Sequence, residues 1–576
     1  MFMIIFLRSL FEYKDGGEKI PYKYVFCRPY FESGIYYFMK RFFCTLLIVA
    51  SSLSPIASGR DFYPKNQAID IQRYRFHIEL SDLSESIKAK ALVSLLALTP
   101  IQELTLDLGS RGEGLQGMQV LHVKLGEVPL PFEHANDRLV IRLPQMTTSN
   151  TSLELEISYQ GIPKSGLHIS KNKYGDRVFF ADNWPDQGHQ WLPTIDHPSD
   201  KAAVEFLITA PAHYAVVANG LKVEESSLDG DRKLTHWRED VPIAVKVMVI
   251  GVARFAMQES ARLNDIAITS WVFPQNRLEG FHDYAVAVKA LDYFQKNVGP
   301  YPYKKLANVQ SKTRFGGLEN ANTIFYFENS VTGKGEQEAL LAHEIAHQWF
   351  GNSTTENDWH HVWLSEGFAT YFTNLYIEHT YGRERFVKQM LSDREKIVRF
   401  HQRVTRPIVD TEIRDPKQVL SPNTYEKAAW VLHMLRQEVG DEVFWNGIRQ
   451  YYAKFAGKNV MSADFQAAME LASGRNLSAF FQQWLFQIGY PKLDVQWYFN
   501  SSKKEVEVRV SQVQESALFE FPLDLAIQTG DGRIQLQTVR IHQKNQMLTF
   551  PVAATPKLFS VDPMVRLLME AKLAQK

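Results

Sequence analysis

The residues best suited to catalysis lie within residues 343–347, which read His-Glu-Ile-Ala-His. On an α-helix, positions i and i+4 lie on the same face, so the imidazoles of His343 and His347 can bind one metal ion. Glu344 lies between them in sequence and can reach a water molecule on that ion. The apolar helix around them is expected to be buried, where two unpaired histidines and a glutamate would be costly. The spacing therefore predicts a metal site for hydrolysis rather than an exposed polar helix.

A third metal ligand is needed, because a hydrolytic zinc site uses three protein ligands and keeps one position open. Glu366 is a candidate, since it lies 19 residues after His347, at the start of the next predicted helix. Two antiparallel helices joined by a loop can bring such a carboxylate back to the first helix. By spacing alone, one glutamate at the end of a loop is weak evidence.

The helices that must position these residues are predicted from hydrophobic spacing. Residues 336–350 form the first helix, and Gly351 directly follows its end. Ser365 is the predicted N-cap of the second helix, which ends at Gly382. Further helices are predicted over residues 425–438, 441–455 and 462–488.

On both sides of this helical region, apolar and polar residues alternate as they do in half-buried β-strands. We therefore predict a multidomain α+β fold. Residues 59–256 form an N-terminal antiparallel β domain, residues 257–490 a mainly α-helical catalytic domain, and residues 491–576 a small C-terminal β-sandwich. The Gly-Asp-Gly sequence at residues 530–532 is the predicted hairpin turn of that sandwich.

The composition excludes several classes of protein. The chain has 576 residues, 45% of them apolar, which excludes a mostly disordered protein. Basic and acidic residues number 64 each, so net charge gives no indication of nucleic-acid binding. Two cysteines are too few for a disulfide framework or a cysteine-rich metal site.

Residues 1–58 read as a leader. From Met39 onward, basic, apolar and small residues follow one another in the order of a secretory signal peptide, which we predict over residues 39–58. We interpret Met39 as the true start and residues 1–38 as an upstream extension. The protein is then exported, to the periplasm or outside the cell. The apolar run is too short for a comfortable membrane span, so no stable span is expected in the mature chain; an uncleaved signal anchor is the alternative.

Four segments resemble the M1 family of zinc aminopeptidases, gluzincins with a thermolysin-like catalytic domain. The first covers residues 343–351, and the second, residues 363–371, contains Glu366. The third is Gly-Gly-Leu-Glu-Asn at residues 316–320, where the family commonly has Met in place of Leu. The fourth is Tyr-Glu-Lys-Ala at residues 425–428. The resemblance implies a peptidase that removes N-terminal residues from peptides.

The resemblance also implies the roles of the catalytic residues. One Zn²⁺ is bound by His343, His347 and Glu366. Glu344 accepts a proton from the attacking water, and the phenol of Tyr425 stabilises the developing oxyanion.

Substrate-binding residues are implied by the same resemblance. Glu319 is expected to face the α-ammonium group of the peptide. Gly316, Gly317 and Asn320 belong to the same loop, and glycines there let the backbone come close to a substrate.

The family usually has a second polar anchor for the α-amine in its N-terminal domain. An ungapped match places Trp184 at that position. Asn183, Asp186 and Gln187 remain candidates for the anchor.

Three alternatives remain open at this point. One is a thermolysin-like zinc endopeptidase. The second is an epoxide-opening relative, which is disfavoured because Lys417 and Leu420 occupy the positions that carry Asp and Tyr in that branch. The third is a catalytically inactive peptide-binding relative. The chain ends at Lys576 without the long helical domain of larger members, so we expect a short form with an open cleft.

Overall fold

The computed structural model describes residues 61–112 and 114–576. From Asp61 onward the described chain forms one compact unit. The predicted signal peptide and the predicted upstream extension lie outside the described residues. Within the described part of the chain, no helix has both the length and the apolar character needed to cross a membrane.

The N-terminal part is built from β-strands, and in strands such as Ile69–Glu79 and Ile87–Ala97 alternate residues are buried, as the sequence predicts. Most of these strands pair antiparallel as predicted, but Ile69–Glu79 and Lys201–Pro211 pair in parallel. An eight-stranded sheet has the order β13-β14-β11-β1-β2-β8-β4-β5, a four-stranded sheet β12-β15-β10-β9, and a three-stranded sheet β3-β7-β6. The strands are β1 Ile69–Glu79, β2 Ile87–Ala97, β3 Glu103–Asp107, β4 Gly117–Leu125, β5 Val128–Pro129, β6 Phe132–Ala135, β7 Arg138–Arg142, β8 Thr151–Ile162, β9 Leu167–Lys171, β10 Arg177–Ala181, β11 Lys201–Pro211, β12 Ala215–Ala218, β13 Leu221–Leu228, β14 Arg232–Ala244 and β15 Ile250–Ala253.

The middle part joins a mixed five-stranded sheet, of order β16-β17-β18-β20-β19, to a group of helices. Its strands are β16 Ala256–Leu263, β17 Ile266–Val272, β18 Lys305–Ser311, β19 Gly317–Leu318 and β20 Thr323–Phe327, and a short parallel pair is β21 Thr355–Glu356 and β22 Asn459–Val460. The helices are α1 Arg277–Tyr284, α2 Ala287–Asn297, α3 Glu338–Ala346, α4 Trp363–Tyr381, α5 Arg383–His401, α6 Ala428–Val439, α7 Asp441–Phe455, α8 Ser462–Ser473 and α9 Ser478–Phe481.

The C-terminal part returns to β-structure in two sheets, β27-β24-β23-β29 and β26-β25-β28. The turn at residues 530–532 joins β25 to β26, as predicted. The strands are β23 Lys492–Asn500, β24 Glu505–Gln512, β25 Phe521–Thr529, β26 Ile534–Ile541, β27 Asn545–Pro551, β28 Pro556–Val561 and β29 Glu570–Gln575. The α+β class is thus confirmed, while the domain boundaries at residues 256 and 490 stay predictions.

Several predicted helix ends are wrong. The helix that carries the two histidines, α3, ends at Ala346 rather than at residue 350, because the amides of Gln348 and Trp349 bond three residues back and tighten the last turn. The helix predicted over residues 462–488 is interrupted at Gly474, whose left-handed backbone (φ 64°) caps α8.

Helix α4 also begins earlier than predicted. Its first residue is Trp363 and its N-cap is Val362, so Ser365 lies inside the first turn and is not a cap. The helix is buried over most of its length, and it packs against α3, α5 and α6. Such packing on several sides holds α4 in place, and α4 carries Glu366.

Candidate active site

The packing of α4 on α3 brings His343, His347 and Glu366 together. The two imidazole Nε2 atoms are 3.1 Å apart. Glu366 Oε2 lies 3.6 Å from His343 Nε2 and 3.3 Å from His347 Nε2. His347 is the C-cap of α3 but keeps a helical backbone (φ −56°, ψ −25°), so the i, i+4 arrangement extends past the last helical residue.

This triangle of donor atoms fits a tetrahedral metal ion. At bond lengths of about 2.0–2.2 Å, the ligand atoms of a tetrahedral zinc site are about 3.3–3.6 Å apart. The measured edges of 3.1, 3.3 and 3.6 Å lie close to that range. Two imidazoles and one carboxylate are also a donor set found in catalytic zinc sites. The three residues predicted as ligands could therefore hold one ion together.

The orientation of His347 leaves its Nε2 free to accept a metal ion. Its Nδ1 is 3.1 Å from the carbonyl oxygen of Phe350 and 3.1 Å from Ser365 Oγ. A carbonyl oxygen can only accept a hydrogen bond, so Nδ1 carries a proton, and the neutral ring would present its Nε2 lone pair to a metal ion. Gly351 is required beside this contact, because it has a φ of +113° and a Cβ there would lie 2.2 Å from the Ser365 hydroxyl.

The electrostatics of the site favour a cation. Burial alone lowers the pKa of His347, but the Glu366 carboxylate more than offsets this and raises the pKa to about 9. Burial raises the pKa of Glu344 well above its usual value, and the carboxylates of Glu319 and Glu366 add to the rise. Three buried carboxyl groups therefore crowd around two imidazoles, an arrangement that a divalent cation would stabilise.

Glu344 faces the strand β19. A Cβ added at Gly317 would lie 2.3 Å from Glu344 Oε1, so only glycine allows the backbone of β19 to pass this close to the carboxylate. The predicted substrate loop and the predicted general base are thus in direct contact.

Tyr425 lies in a π-helical turn, Asn423–Lys427, immediately before α6. The amide of Lys427 bonds to the carbonyl of Pro422, five residues back, which widens the turn. The Tyr425 ring is 6.2 Å from that of His343, with the planes 16° apart. Burial raises the pKa of Tyr425 well above its usual value, and nearby carboxylates raise it further. The phenol therefore keeps its proton and can donate a hydrogen bond.

A cleft of about 250 Å³ contains the predicted catalytic residues. Its wall includes all three predicted ligands, both predicted catalytic residues and three of the predicted substrate residues. The residues that line it are Trp184, Phe315, Gly316, Gly317, Leu318, Glu319, Leu340, His343, Glu344, His347, Glu366, Leu420 and Tyr425. Asn320 is the exception, since it is fully buried and does not line the cleft. Glu319 is also buried, and its Oε1 has no hydrogen-bond partner among the described residues.

Two residues that sequence reasoning missed hold the Glu319 loop in place. The side-chain amides of Gln348 and Asn352 both donate to the carbonyl oxygen of Glu319, and Gln348 also accepts from the amide of Asn322. Gln348 directly follows the second histidine and lies within the family-like segment at residues 343–351, and Asn352 is the first residue after that segment. The family resemblance of that segment could have identified Gln348 from the sequence.

None of the three candidates for a second α-amine anchor lines the cleft. The Asn183 amide is fully engaged, because it donates to two carbonyl oxygens and accepts from the indole of Trp191. Gln187 bonds to Ser165 and Asp186 instead. The residue of this segment that reaches the cleft is Trp184.

Four other histidines of the helical region have structural partners. His360 Nε2 contacts the Ile413 carbonyl at 2.8 Å, and His361 Nδ1 contacts Ser462 Oγ at 2.7 Å. His433 is buried and contacts the Val565 carbonyl at 3.0 Å. The His379 ring packs on Tyr293. None of them lines the cleft.

Comparison with known families agrees with this geometry. Residues 282–484 match the Peptidase family M1 domain, and residues 71–245 match the Peptidase M1 N-terminal domain. Together the two matches cover most of the described N-terminal and helical parts. The chain belongs to peptidase family M1, which confirms the predicted resemblance.

Curated relatives support the same assignment at low identity. Probable aminopeptidase 2 of Sulfurisphaera tokodaii is 25% identical over 71% of this chain and 54% of its own length. Probable aminopeptidase 1 of the same organism is 24% identical over 84% of this chain and 61% of its own length. Human glutamyl aminopeptidase is 27% identical over 57% of this chain and 36% of its own length. The chain therefore spans about a third to three-fifths of the length of these relatives.

Proposed function

We propose that the protein is a zinc-dependent aminopeptidase, which releases N-terminal residues from peptides. The proposal depends chiefly on one observation: the triangle of predicted metal ligands shares one cleft with Glu319, whose Oε1 has no hydrogen-bond partner within the part of the chain that the structure describes. His343, His347 and Glu366 would hold the ion. Bound zinc supplies Lewis-acid polarisation and activates water. The relatives' names support peptidase chemistry on N-terminal residues.

Glu344 is the proposed general base and acid. It lies in the cleft beside the three ligands and is buried, so it can accept a proton from the attacking water and return it to the departing amine.

Tyr425 is the proposed donor to the substrate. Its phenol stays protonated for the reasons given above, and its ring lines the cleft and is stacked near that of His343. A donor placed before the reaction starts stabilises the oxyanion without reorganisation.

Glu319 is the proposed anchor for the free α-ammonium group. Its buried Oε1 can accept a charge-assisted hydrogen bond from that group. An internal peptide segment offers only a neutral amide there and would leave a buried carboxylate unpaired, which is costly. The same group that attracts a free N-terminus therefore disfavours endopeptidase action.

The test compares a peptide that has a free N-terminus with its N-acetylated form, using purified protein whose metal content has been measured. We expect one zinc per chain, sequential release of N-terminal residues, and at least tenfold slower cleavage of the acetylated form. Equal cleavage of both forms would instead identify an endopeptidase, and the absence of hydrolysis with metal bound would identify an inactive peptide-binding relative.

Export is a separate proposal. It depends on the signal-peptide pattern at residues 39–58. N-terminal sequencing of the protein from the natural cell should give a start near residue 59, and a start upstream of residue 39 would contradict it.

A further inference from the structure

The wall of the cleft beside Glu319 is apolar and aromatic. We propose that Trp184, together with Phe315, determines the specificity of the first substrate position, so that the enzyme selects large apolar N-terminal residues such as Leu, Met and Phe. This inference rests on the proposed aminopeptidase function, because it needs the α-amine to bind at Glu319.

The position of the first substrate side chain follows from the chemistry of the cleft. The α-amine binds at Glu319, and the scissile carbonyl must reach the group of metal ligands. The first Cα is bonded to both of these groups, so its side chain meets the residues that line the cleft near Glu319 and the metal ligands. Phe315 and Leu318 belong to the loop that carries Glu319, and Trp184 lies against Phe315 in the same wall.

The aromatic wall is held rigidly. The rings of Trp184 and Phe315 are 6.4 Å apart and meet at 75°, an edge-to-face arrangement. The Trp184 ring also packs on that of Trp359, with the ring centres 5.5 Å apart and an angle of 70° between the planes. Trp184 is only 3% exposed, so a bound side chain meets a surface that is already in place.

The charges of the cleft disfavour both acidic and basic first residues. No Lys or Arg is among the residues that line it, so an acidic side chain would lack a partner and would face three carboxyl groups. Each of these carboxyl groups already has a proposed role: Glu319 binds the α-amine, Glu366 the metal ion, and Glu344 transfers protons. A basic side chain would therefore be buried against the indole without a carboxylate of its own.

The first experiment measures kcat/KM on aminoacyl-arylamides of Phe, Leu, Met, Ala, Glu and Arg. Burial of a large apolar side chain predicts that kcat/KM for Phe, Leu and Met exceeds that for Ala by about 10–100-fold. Glu and Arg should be hydrolysed more slowly than Leu. A preference for Glu or Arg would overturn the proposal.

The second experiment assigns the preference to Trp184. In Trp184→Ala, the ratio of kcat/KM for Phe to that for Ala should fall at least tenfold. Trp445→Ala is the matched control, because this half-buried tryptophan on α7 does not line the cleft, and its ratio should equal that of the wild type. An unchanged ratio in Trp184→Ala would contradict the proposal.

Two further measurements keep the outcomes distinct. If Trp184→Ala does not fold by circular dichroism, Phe315→Ala replaces it, with the same expected fall in ratio. The comparison of free and acetylated peptides is run on each variant. Lost discrimination in the wild type would refute the aminopeptidase function itself, whereas intact discrimination with unchanged ratios would refute only the role of Trp184.

Discussion

The two sides of the cleft are built in different ways. The helical side takes its proposed metal ligands from α3, from the C-cap of α3 and from α4, and two of them lie one helical turn apart. The opposite side combines Trp184, which follows β10, with Phe315, which precedes β19 far along the chain. The helical side depends on local periodicity, whereas the opposite side depends on how distant sheets pack. This difference suggests that bond cleavage and substrate choice can be changed separately.

The largest effect is expected for Glu344→Gln on the helical side. The amide cannot accept the proton of the attacking water, so kcat should fall by about 10²–10⁴-fold. Zinc content should stay at the wild-type level, because Glu344 is not a ligand. Glu336→Gln is the control, since this exposed residue precedes α3. Unchanged hydrolysis in Glu344→Gln would remove the proposed base from the mechanism.

Tyr425→Phe should lower kcat by about 10²–10³-fold, because it removes one hydrogen-bond donor to the oxyanion. KM should change little, since the ring and its stacking on His343 remain. Tyr498→Phe, on an exposed tyrosine of β23, serves as the control. A normal kcat with a raised KM would show that Tyr425 binds the substrate and does not stabilise the oxyanion.

Glu319→Gln tests the opposite side of the cleft. Loss of a charge-assisted hydrogen bond to the α-ammonium group should raise KM for free peptides by about 10–100-fold. The difference between free and acetylated peptides should shrink accordingly, while zinc content is kept. If kcat fell and KM did not change, Glu319 would belong with the catalytic residues of the helical side.

The smallest effect is expected for Asp61→Asn, which weakens the support of the aromatic wall. Asp61 Oδ2 accepts hydrogen bonds from His197 at 2.7 Å and from the amide of Trp359 at 3.0 Å. The substitution should lower the free energy of unfolding by about 1–3 kcal/mol, measured by urea denaturation. Selectivity for the first residue should weaken more than kcat. A variant as stable as the wild type would show that these contacts are not needed.

The same variant gives a pH dependence. Burial alone would raise the pKa of Asp61, but the bonds from His197 and Trp359 lower it to about 2. The pKa is therefore depressed in the folded state, so the stabilisation is present above the unfolded pKa near 4 and is lost as the pH falls towards 2. The stability difference between wild type and Asp61→Asn should shrink over that range. A difference that grew on acidification would contradict this origin.

The proximity of the two histidines on the helical side could be predicted from the sequence, for a physical reason. The i, i+4 spacing of His343 and His347 is a local property, and it tolerates the early end of α3 because His347 keeps a helical backbone. Glu366 became a strong candidate only through the family resemblance. Ser365 was misassigned as a cap because its type favours helix starts, whereas tertiary packing directs its hydroxyl to His347.

The opposite side could not be predicted in the same way. Asn183 has the polar type of an amine anchor, but the β-sheets around it use all its hydrogen-bonding groups. The ungapped match placed Trp184 at the anchor position. Neither periodicity nor composition could predict that its indole lines the cleft beside Phe315. Asn320 illustrates the same limit, because its neighbour Glu319 reaches the cleft and Asn320 does not.

The contacts of Asp61 have a practical consequence for anyone who prepares the protein. Its amide bonds to Asp358, and its carboxylate holds Trp359, which in turn packs on Trp184. We expect a recombinant protein that begins after this residue, for instance at Tyr63, to fold with Trp359 and Trp184 less firmly held. Assays of such a shortened protein would show weaker selectivity for the first substrate residue, although every catalytic residue is present.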